Sequence, residues 1–324
     1  MLSFLQRRLT LLFITAFILT IIAFIVDRVL VASHNPEVIN HQNYFYQYSN
    51  YLWHILNGNF GYSSLDNKDL IKRGLVFFAS TLELCFVALI FSSFFAIPMG
   101  ILAGLFRNSR LDYVIMTIAI VALALPVFWV GVMAVLLPSV WGDLLPVDGN
   151  LSLIYDVPVV TGFLLIDTLF VVDKYDLFAF IDRVAHLILP ALTLSFFLIT
   201  EIVRLTRSSM TMVMRSNYIQ AAYAKGFSRR KIVVAHALRN ALPPIIPQLR
   251  LQMSTIFSFA MTIEIVFNLN GIGKWLFISL KSGDYLVLPV GILIISGFIL
   301  TFSIFIEIFM VIISPLRRSA LYAD

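Results

Sequence analysis

The chain has 324 residues, 60% hydrophobic and only 13% charged, with a mean hydropathy of +0.93. Soluble domains carry about 25% charged residues, so this composition excludes a water-soluble fold and leaves lipid to cover much of the surface. A single cysteine, Cys85, excludes an intramolecular disulfide and a multi-cysteine metal or iron–sulfur site, and reads as a small apolar side chain inside a span. The net charge of +5 sits in loops, where membrane topology accounts for it without nucleic acid.

A bilayer core takes about 20 apolar residues as helix, and six segments qualify. Leu9 to Val26 follows Arg7-Arg8 and precedes Asp27-Arg28 with no small-residue cleavage site, so residues 1–31 read as an uncleaved first span with its flanks. Residues 32–75 form a loop region in which Tyr44, Tyr48, Tyr51 and Ile55 recur at helical spacing. That pattern predicts an amphipathic helix at the membrane interface. Asn57-Gly58-Asn59-Phe60-Gly61 then predicts a turn using positive φ. Residues 76–316 hold the other spans. The second covers about Ala79–Phe106, with Glu83 near one end and Pro98 inside. The third covers Val114–Val140 and carries Pro126; the fourth covers Val184–Val203 and carries Pro190. The fifth, Ile245–Phe267, is bracketed by Arg250 and Glu264. The sixth, Leu286–Ile313, contains Glu307 and leads to a tail at 317–324 that opens with Arg317-Arg318.

Six spans put Arg7-Arg8, Arg107 with Arg110, the cations between 204 and 243, and Arg317-Arg318 on one side. Asp143 to Arg183, with seven Asp against one Lys and one Arg, falls on the other. Lys/Arg-rich short loops resist translocation, so both termini are expected in the cytoplasm and 141–183 outside. Val157–Val172 is apolar but short and broken by Asp167, so it reads as part of that external loop rather than a seventh span.

Between Arg204 and Pro243 stand eight Lys/Arg and no acid. Ala221-Ala222 present little side chain, so a short helix carrying them suits close approach to a partner's groove. Gly226 suits the left-handed turn ending that helix, Ser228 suits the cap of the next, and Pro243-Pro244 suits its end. Two short helices joined by Gly would make a rigid foot for docking. The same residues also suit a plain basic loop beside anionic lipid.

Motifs for chemistry are missing. Gly271-Ile272-Gly273-Lys274-Trp275 lacks the glycine spacing and the Ser/Thr of a phosphate-binding loop, so nucleotide hydrolysis is expected on another subunit. The five His (34, 41, 54, 186, 236) form no helical ligand pair, and His186 reads as a satisfied interfacial residue. The chain is expected neither to be an enzyme nor to hold a metal or cofactor.

Across nearly its whole length the chain resembles dipeptide/oligopeptide-type ABC importer permeases, most of all the first-permease type of the Sap peptide-transport branch. The blocks that carry the likeness include GNFGYSS at 58–64, STLEL at 80–84, AIPMGILAG at 96–104, LPVFW at 125–129 and LLPVDG at 144–149. TGFLLID at 161–167, HLILPALTL at 186–194, RLTRSSM at 204–210, YIQAAYAKGFS at 218–228, HALRNALPP at 236–244 and EIVFNLNGIGKWL at 264–276 continue it. The resemblance implies an all-α integral membrane protein of the type I importer permease fold in the bacterial inner membrane. It implies a second related permease, two ATPase subunits that bind ATP and magnesium, and a periplasmic solute-binding protein as partners. It implies an ATPase-coupling loop at Gln220, Ala221, Ala222, Lys225 and Gly226. Gln220 departs from the usual Glu there, which weakens an ionic contact, and Asn270 replaces a common Pro, which is expected to loosen that turn. The first external loop lacks a Pro-Gly-Asp-Pro run, which favours the Sap branch.

Ionisable residues within spans are functional suspects. Glu83, Glu201, Arg204 and Glu264 are candidates for the substrate pathway or for intramembrane polar contacts. Glu201 and Arg204 are spaced for an ion pair on one helix, while Glu83 and Glu307 suit contacts with a sister permease. The expected ligand is a peptide, with polyamine or haem-like ligands as alternatives. A secondary transporter would call for inverted repeats, which the sequence does not display, and a purely structural subunit would lack a polar path.

Overall fold

The computed structural model describes residues 2–34, 43–141, 145–170 and 176–313, and every regular element among them is helical. In chain order these are α1 (Leu2–His34), α2 (Tyr44–Leu56), α3 (Leu70–Leu105), α4 (Arg110–Ala124) and α5 (Val127–Trp141). The short α6 (Leu164–Asp167) comes next, running into a 3-10 turn, Thr168–Phe170. Then follow α7 (Asp176–Met214), α8 (Asn217–Ala224), α9 (Arg229–Lys231), a π-helical stretch (Ile232–Ala237) and α10 (Leu238–Ala241). After a 3-10 turn at Pro243–Ile245 come α11 (Ile246–Val266), α12 (Ile272–Ser282) and α13 (Val287–Ile313). The side chains of Arg7, Arg8 and Arg250, residues Asp143 and Asp173, and the tail 317–324 lie outside the described part.

Length and composition let four of these helices cross a bilayer: Thr10–Leu30, Leu70–Leu105, Leu177–Met214 and Val287–Phe309. The expected third span is not one straight helix. It breaks at Leu125-Pro126 into α4 and α5, bent by 93°. Proline supplies no N–H and pushes the residue before it out of the helical region, and Leu125 is accordingly extended at ψ 129°. In the fifth, the apolar stretch is the shorter Gln252–Val266. Val157–Val172 forms no spanning helix among its described residues. Instead the Asp167 carboxylate accepts hydrogen bonds from Thr161 N (2.7 Å), Thr161 Oγ1 (2.6 Å) and Gly162 N (3.0 Å), closing a compact loop.

The core forms around α3 and α7, which pack along each other. Small residues permit this: a Cβ on Gly100 would meet Thr206 and the Val203 carbonyl, and one on Gly104 would meet Met210. Such close backbone approach is how helices gain contact where lipid supplies no hydrophobic drive. Leu194, Leu198 and Ile202 of α7 meet Leu82 and Leu84 of α3, Ile256, Phe257 and Ile263 of α11, Trp275 of α12 and Ile294 of α13. α1 lies outermost against α13, with Phe13, Ile14, Phe17 and Ile25 exposed as a lipid-facing row. The aromatic spacing of α2 docks it on α1. Tyr48 packs edge-on to Phe24 at 5.3 Å, its hydroxyl shares a 2.8 Å hydrogen bond with Thr20 Oγ1, and Tyr51 lies 5.5 Å from Phe24. Gly58 and Gly61 take positive φ in the turn that follows. That turn leads to Ser63 and Ser64, whose hydroxyls donate to Asp284 at 2.5 and 2.8 Å, tying the loop to the start of α13.

Candidate functional site

Residues 204–243 fold into a foot with its own small core. Met210, Ile219, Ala222, Ile232, Ala237 and Ala241 are buried together, with Ile101 and Leu105 of α3 packed against them. The foot is therefore joined to the α3–α7 pair rather than suspended below it. α8 ends as Gly226 takes φ +78°, a conformation that costs other residues a Cβ clash. Ser228 Oγ accepts from Lys231 N at 3.4 Å and starts the second helix. That helix runs through the π-helical stretch to Ala241, and the 3-10 turn at Pro243 leads into α11.

The five coupling candidates divide by orientation. Gln220, Ala221, Lys225 and Gly226 are exposed, and Gln220 Nε2 donates to the Arg215 carbonyl at 3.4 Å. Ala222 faces the other way, 7% exposed within the foot's core. Helical geometry requires this, since adjacent residues sit about 100° apart. The exposed surface of α8 is thus Asn217, Tyr218, Gln220, Ala221, Tyr223 and Ala224, all uncharged. A side chain at Gly226 would meet open space, so only its backbone conformation restricts that position.

At the other end of α3, one polar layer holds several helices. Glu264 is 1% exposed, and both its oxygens are engaged. Oε1 accepts from Thr81 Oγ1 at 2.5 Å, and Oε2 accepts from Gly273 N (2.8 Å) and Lys274 N (3.2 Å). A carboxylate there satisfies the free amides at the start of α12 and meets the positive end of its dipole. Thr81 Oγ1 also accepts from Ile272 N at 2.9 Å. Any Cβ on Gly271 would strike the Glu264 carboxylate, and one on Gly273 would strike Met261. The block EIVFNLNGIGKWL is therefore a buried cap in which the glycines make room for the acid. Nor is the turn loosened at Asn270: its amide, which proline would lack, donates to Asn150 Oδ1 at 2.7 Å, and its own Oδ1 accepts from Lys274 Nζ at 3.2 Å.

Glu83 has an internal partner. Arg183 Nε donates to its Oε1 at 2.9 Å, and both side chains are almost fully buried. Leu165 N donates to the same oxygen at 3.2 Å, and Arg183 Nη1 reaches the Asn150 carbonyl at 2.9 Å. Among the described residues Glu83 Oε2 has no hydrogen-bond partner. Sequence reading placed Arg183 in a loop and missed the pair, which spans 100 positions. Glu201 and Arg204 form their ion pair at 3.1 Å on the outside of α7. A pair with no sequence signal joins Arg207 to Asp112 through two hydrogen bonds, 2.5 and 2.7 Å, tying α7 to the start of α4.

Above the polar layer lies a cleft of about 870 Å³, with Ser80, Asn150, His186 and Lys274 in its walls. Asp148 and Asp156 also line it and are exposed. Asp167, at the same cleft, is disfavoured as a charge by burial, yet the hydrogen bonds from Thr161 and Gly162 outweigh this and hold its carboxyl below the ordinary value. His186 Nδ1 is within 2.8 Å of the Asp182 carbonyl, and Asp182 accepts from Ser152 N and Oγ at 2.8 and 2.7 Å. Among the described residues no cluster of His, Cys, Asp and Glu could hold a metal ion.

A family model described as "Binding-protein-dependent transport system inner membrane component" matches residues 96–319. The di/tripeptide transport system permease protein DppB of Pseudomonas aeruginosa is 35% identical, covering 98% of this chain and 99% of its own length. The peptide transport system permease protein SapB of Salmonella typhimurium is 35% identical over 100% of this chain and 99% of its own. A SapB of Escherichia coli K12 named for putrescine export is 34% identical over the same spans.

Proposed function

This chain belongs to the binding-protein-dependent transport system inner membrane components, multi-pass membrane proteins of ABC transporters, and we propose that it is one of two related permeases in an ATP-driven peptide importer. The relatives at 34–36% identity are permeases of transport systems, several of them named for peptides. In this reading six spans cross the membrane, both termini face the cytoplasm, and two ATPase subunits carry ATP and magnesium below. A solute-binding protein delivers the ligand from outside.

The observation that carries the coupling role is the foot. Its uncharged face on α8, with Ala221 and Ala224 among Tyr218, Gln220 and Tyr223, is presented outward, while its core is continuous with Ile101, Leu105 and Met210. Closure of the ATPases would push α8, and a foot packed in this way transmits displacement into the α3–α7 pair instead of absorbing it. The tight contacts at Gly100 and Gly104 make that pair move as a unit, so access alternates as the helices rock. Glu264 and Glu83 are engaged internally. The reading assigns them to holding the bundle's external end together and leaves Asp148 and Asp156 to face an arriving cationic ligand.

Transport by the reconstituted complex tests the proposal, with a dipeptide, a longer cationic peptide, putrescine and haem as the panel. ATP-dependent uptake of a peptide is expected. Uptake driven by an ion gradient without the ATPases would replace this reading with a secondary transporter. Single cysteines at Asn67 and Ser228 test topology separately: the first is expected to react with an impermeant reagent from outside and the second not.

A further inference from the structure

We propose that the start of the foot's second helix, together with the turn between α3 and α4, forms a composite site for the anionic headgroups of membrane phospholipids. The two segments are distant in sequence and meet in the fold. The Arg229 guanidinium lies over the Phe106 ring, 4.9 Å from its centroid, and Phe106 caps the last turn of α3. Arg107 follows Phe106 directly and is exposed, as is Arg110 at the start of α4. Arg230 and Lys231 continue from Arg229, both exposed, and Lys231 Nζ sits 4.4 Å over the Phe227 ring. Arg229 thus joins two short basic runs, Arg107 with Arg110 beside the end of α3 and Arg230 with Lys231 at the start of the foot's second helix.

Depth argues for lipid as the occupant. The apolar run of α3 ends at Leu105, which is itself packed into the foot's core. A guanidinium resting on Phe106 is therefore held where the helix leaves the hydrocarbon, the level of phosphates. Charge argues the same way. Residues 204–243 contain no acid, and Asp112, in the first turn of α4, is taken by Arg207 and by the Asn108 amide at 2.9 Å. Arg107, Arg110, Arg229, Arg230 and Lys231 form no ion pair among the described residues. Asp112 is close enough to Arg107 for the cation to favour its charge, yet among the described residues cations outnumber the acid beside them, and polybasic segments beside a bilayer gain from anionic lipid. The proposal divides the foot's labour: α8 offers its uncharged face to the ATPase, while the basic cluster holds the foot against the membrane surface. It rests on the cytoplasmic placement of these loops.

The experiment uses the full complex in nanodiscs of phosphatidylethanolamine containing about one quarter phosphatidylglycerol, a bacterial-like mixture. Native mass spectrometry counts phosphatidylglycerol retained by the wild type and by an R107Q/R229Q/R230Q/K231Q variant. Each cation is expected to contribute on the order of a five-fold preference, so selective retention should fall at least ten-fold, while the ATPase still co-purifies. Raising salt should weaken retention by the wild type, because exposed charges are screened. Equal retention by variant and wild type would overturn the proposal. Loss of the ATPase with lipid retention unchanged would overturn it too, and would assign the cations to subunit docking. Impermeant labelling of a Ser228→Cys variant separates failure of the topology from failure of the lipid site.

Discussion

Replacing Ala221 and Ala222 separately by arginine distinguishes the foot's docking surface from its packing. Ala222 is enclosed by Met210, Ile219, Ile232, Ala237 and Ala241. An arginine there either places an uncompensated charge in that core, costing about 3–5 kcal/mol, or forces the core apart. Met210, Ile219 and Ile232 each contribute about 1.5–3 kcal/mol by burial, roughly 5–9 kcal/mol together before ordering entropy is subtracted. A penalty of that size opens the foot locally without affecting insertion of the spans. Ala221 is exposed, so arginine there should change stability by no more than about 0.5 kcal/mol, yet it places a charged, bulky group on the docking face. Lys225, Arg229, Arg230 and Lys231, four of the foot's eight Lys/Arg, give trypsin sites around the turn between its two helices. Ala222→Arg should accelerate cleavage at those four bonds, and Ala221→Arg should leave cleavage at the same four bonds unchanged, the new bond that each arginine itself offers being counted apart, while abolishing ATPase co-purification and substrate-stimulated hydrolysis. If Ala222→Arg stays as resistant as the wild type, the packing argument fails. If Ala221→Arg retains the ATPase and its stimulation, the docking argument fails.

Removing one member of the buried Glu83–Arg183 pair, as in Arg183→Met, should cost about 3–5 kcal/mol. The Glu83→Leu, Arg183→Met double variant should recover most of this in thermal unfolding of the detergent-solubilised protein. Gly226→Val should weaken coupling through backbone strain of about 1–2 kcal/mol, whereas Gly226→Asn should retain most of it, because the side chain meets open space and asparagine tolerates left-handed backbone; equal ATPase stimulation in the two variants would contradict this. Gly271→Ala should displace the Glu264 carboxylate from α12 at a cost of about 1–3 kcal/mol, visible as faster hydrogen exchange at Gly273 and Lys274. The Asp167 carboxyl lies below its ordinary value of 3.8 in the folded chain. Its contribution is therefore complete above 3.8 and is lost as pH falls through the folded-state value. Protection of the Gly162 amide, its exchange rate relative to the intrinsic rate at each pH, should be flat down to about pH 4 and should fall only below it.

Local chemistry was sufficient for much of this protein. Composition dictated a membrane fold, because so few charges cannot cover so much apolar chain. Gly226 with Ser228, and the aromatic spacing of α2, specified a turn, a cap and a helix, since each signal acts within one or two helical turns; that α2 packs on α1 came from the fold. Prolines mark the limit of such reading. Pro98 and Pro190 lie within continuous helices, Pro98 between Ala96 and Gly100 where α3 presses on α7. Pro126 has no such support and turns the chain by 93°. Partnerships were decided by the tertiary structure alone. Glu83 with Arg183, Glu264 with Thr81, Asp112 with Arg207 and Asp284 with Ser63 join residues 95 to 221 positions apart. Which face of a helix meets which neighbour depends on the register of packing across the whole bundle, and no window of sequence contains that register. The same reason separates Ala221 from Ala222: identical side chains, adjacent in the chain, one turned outward and the other into the foot's core by the helix's rotation per residue.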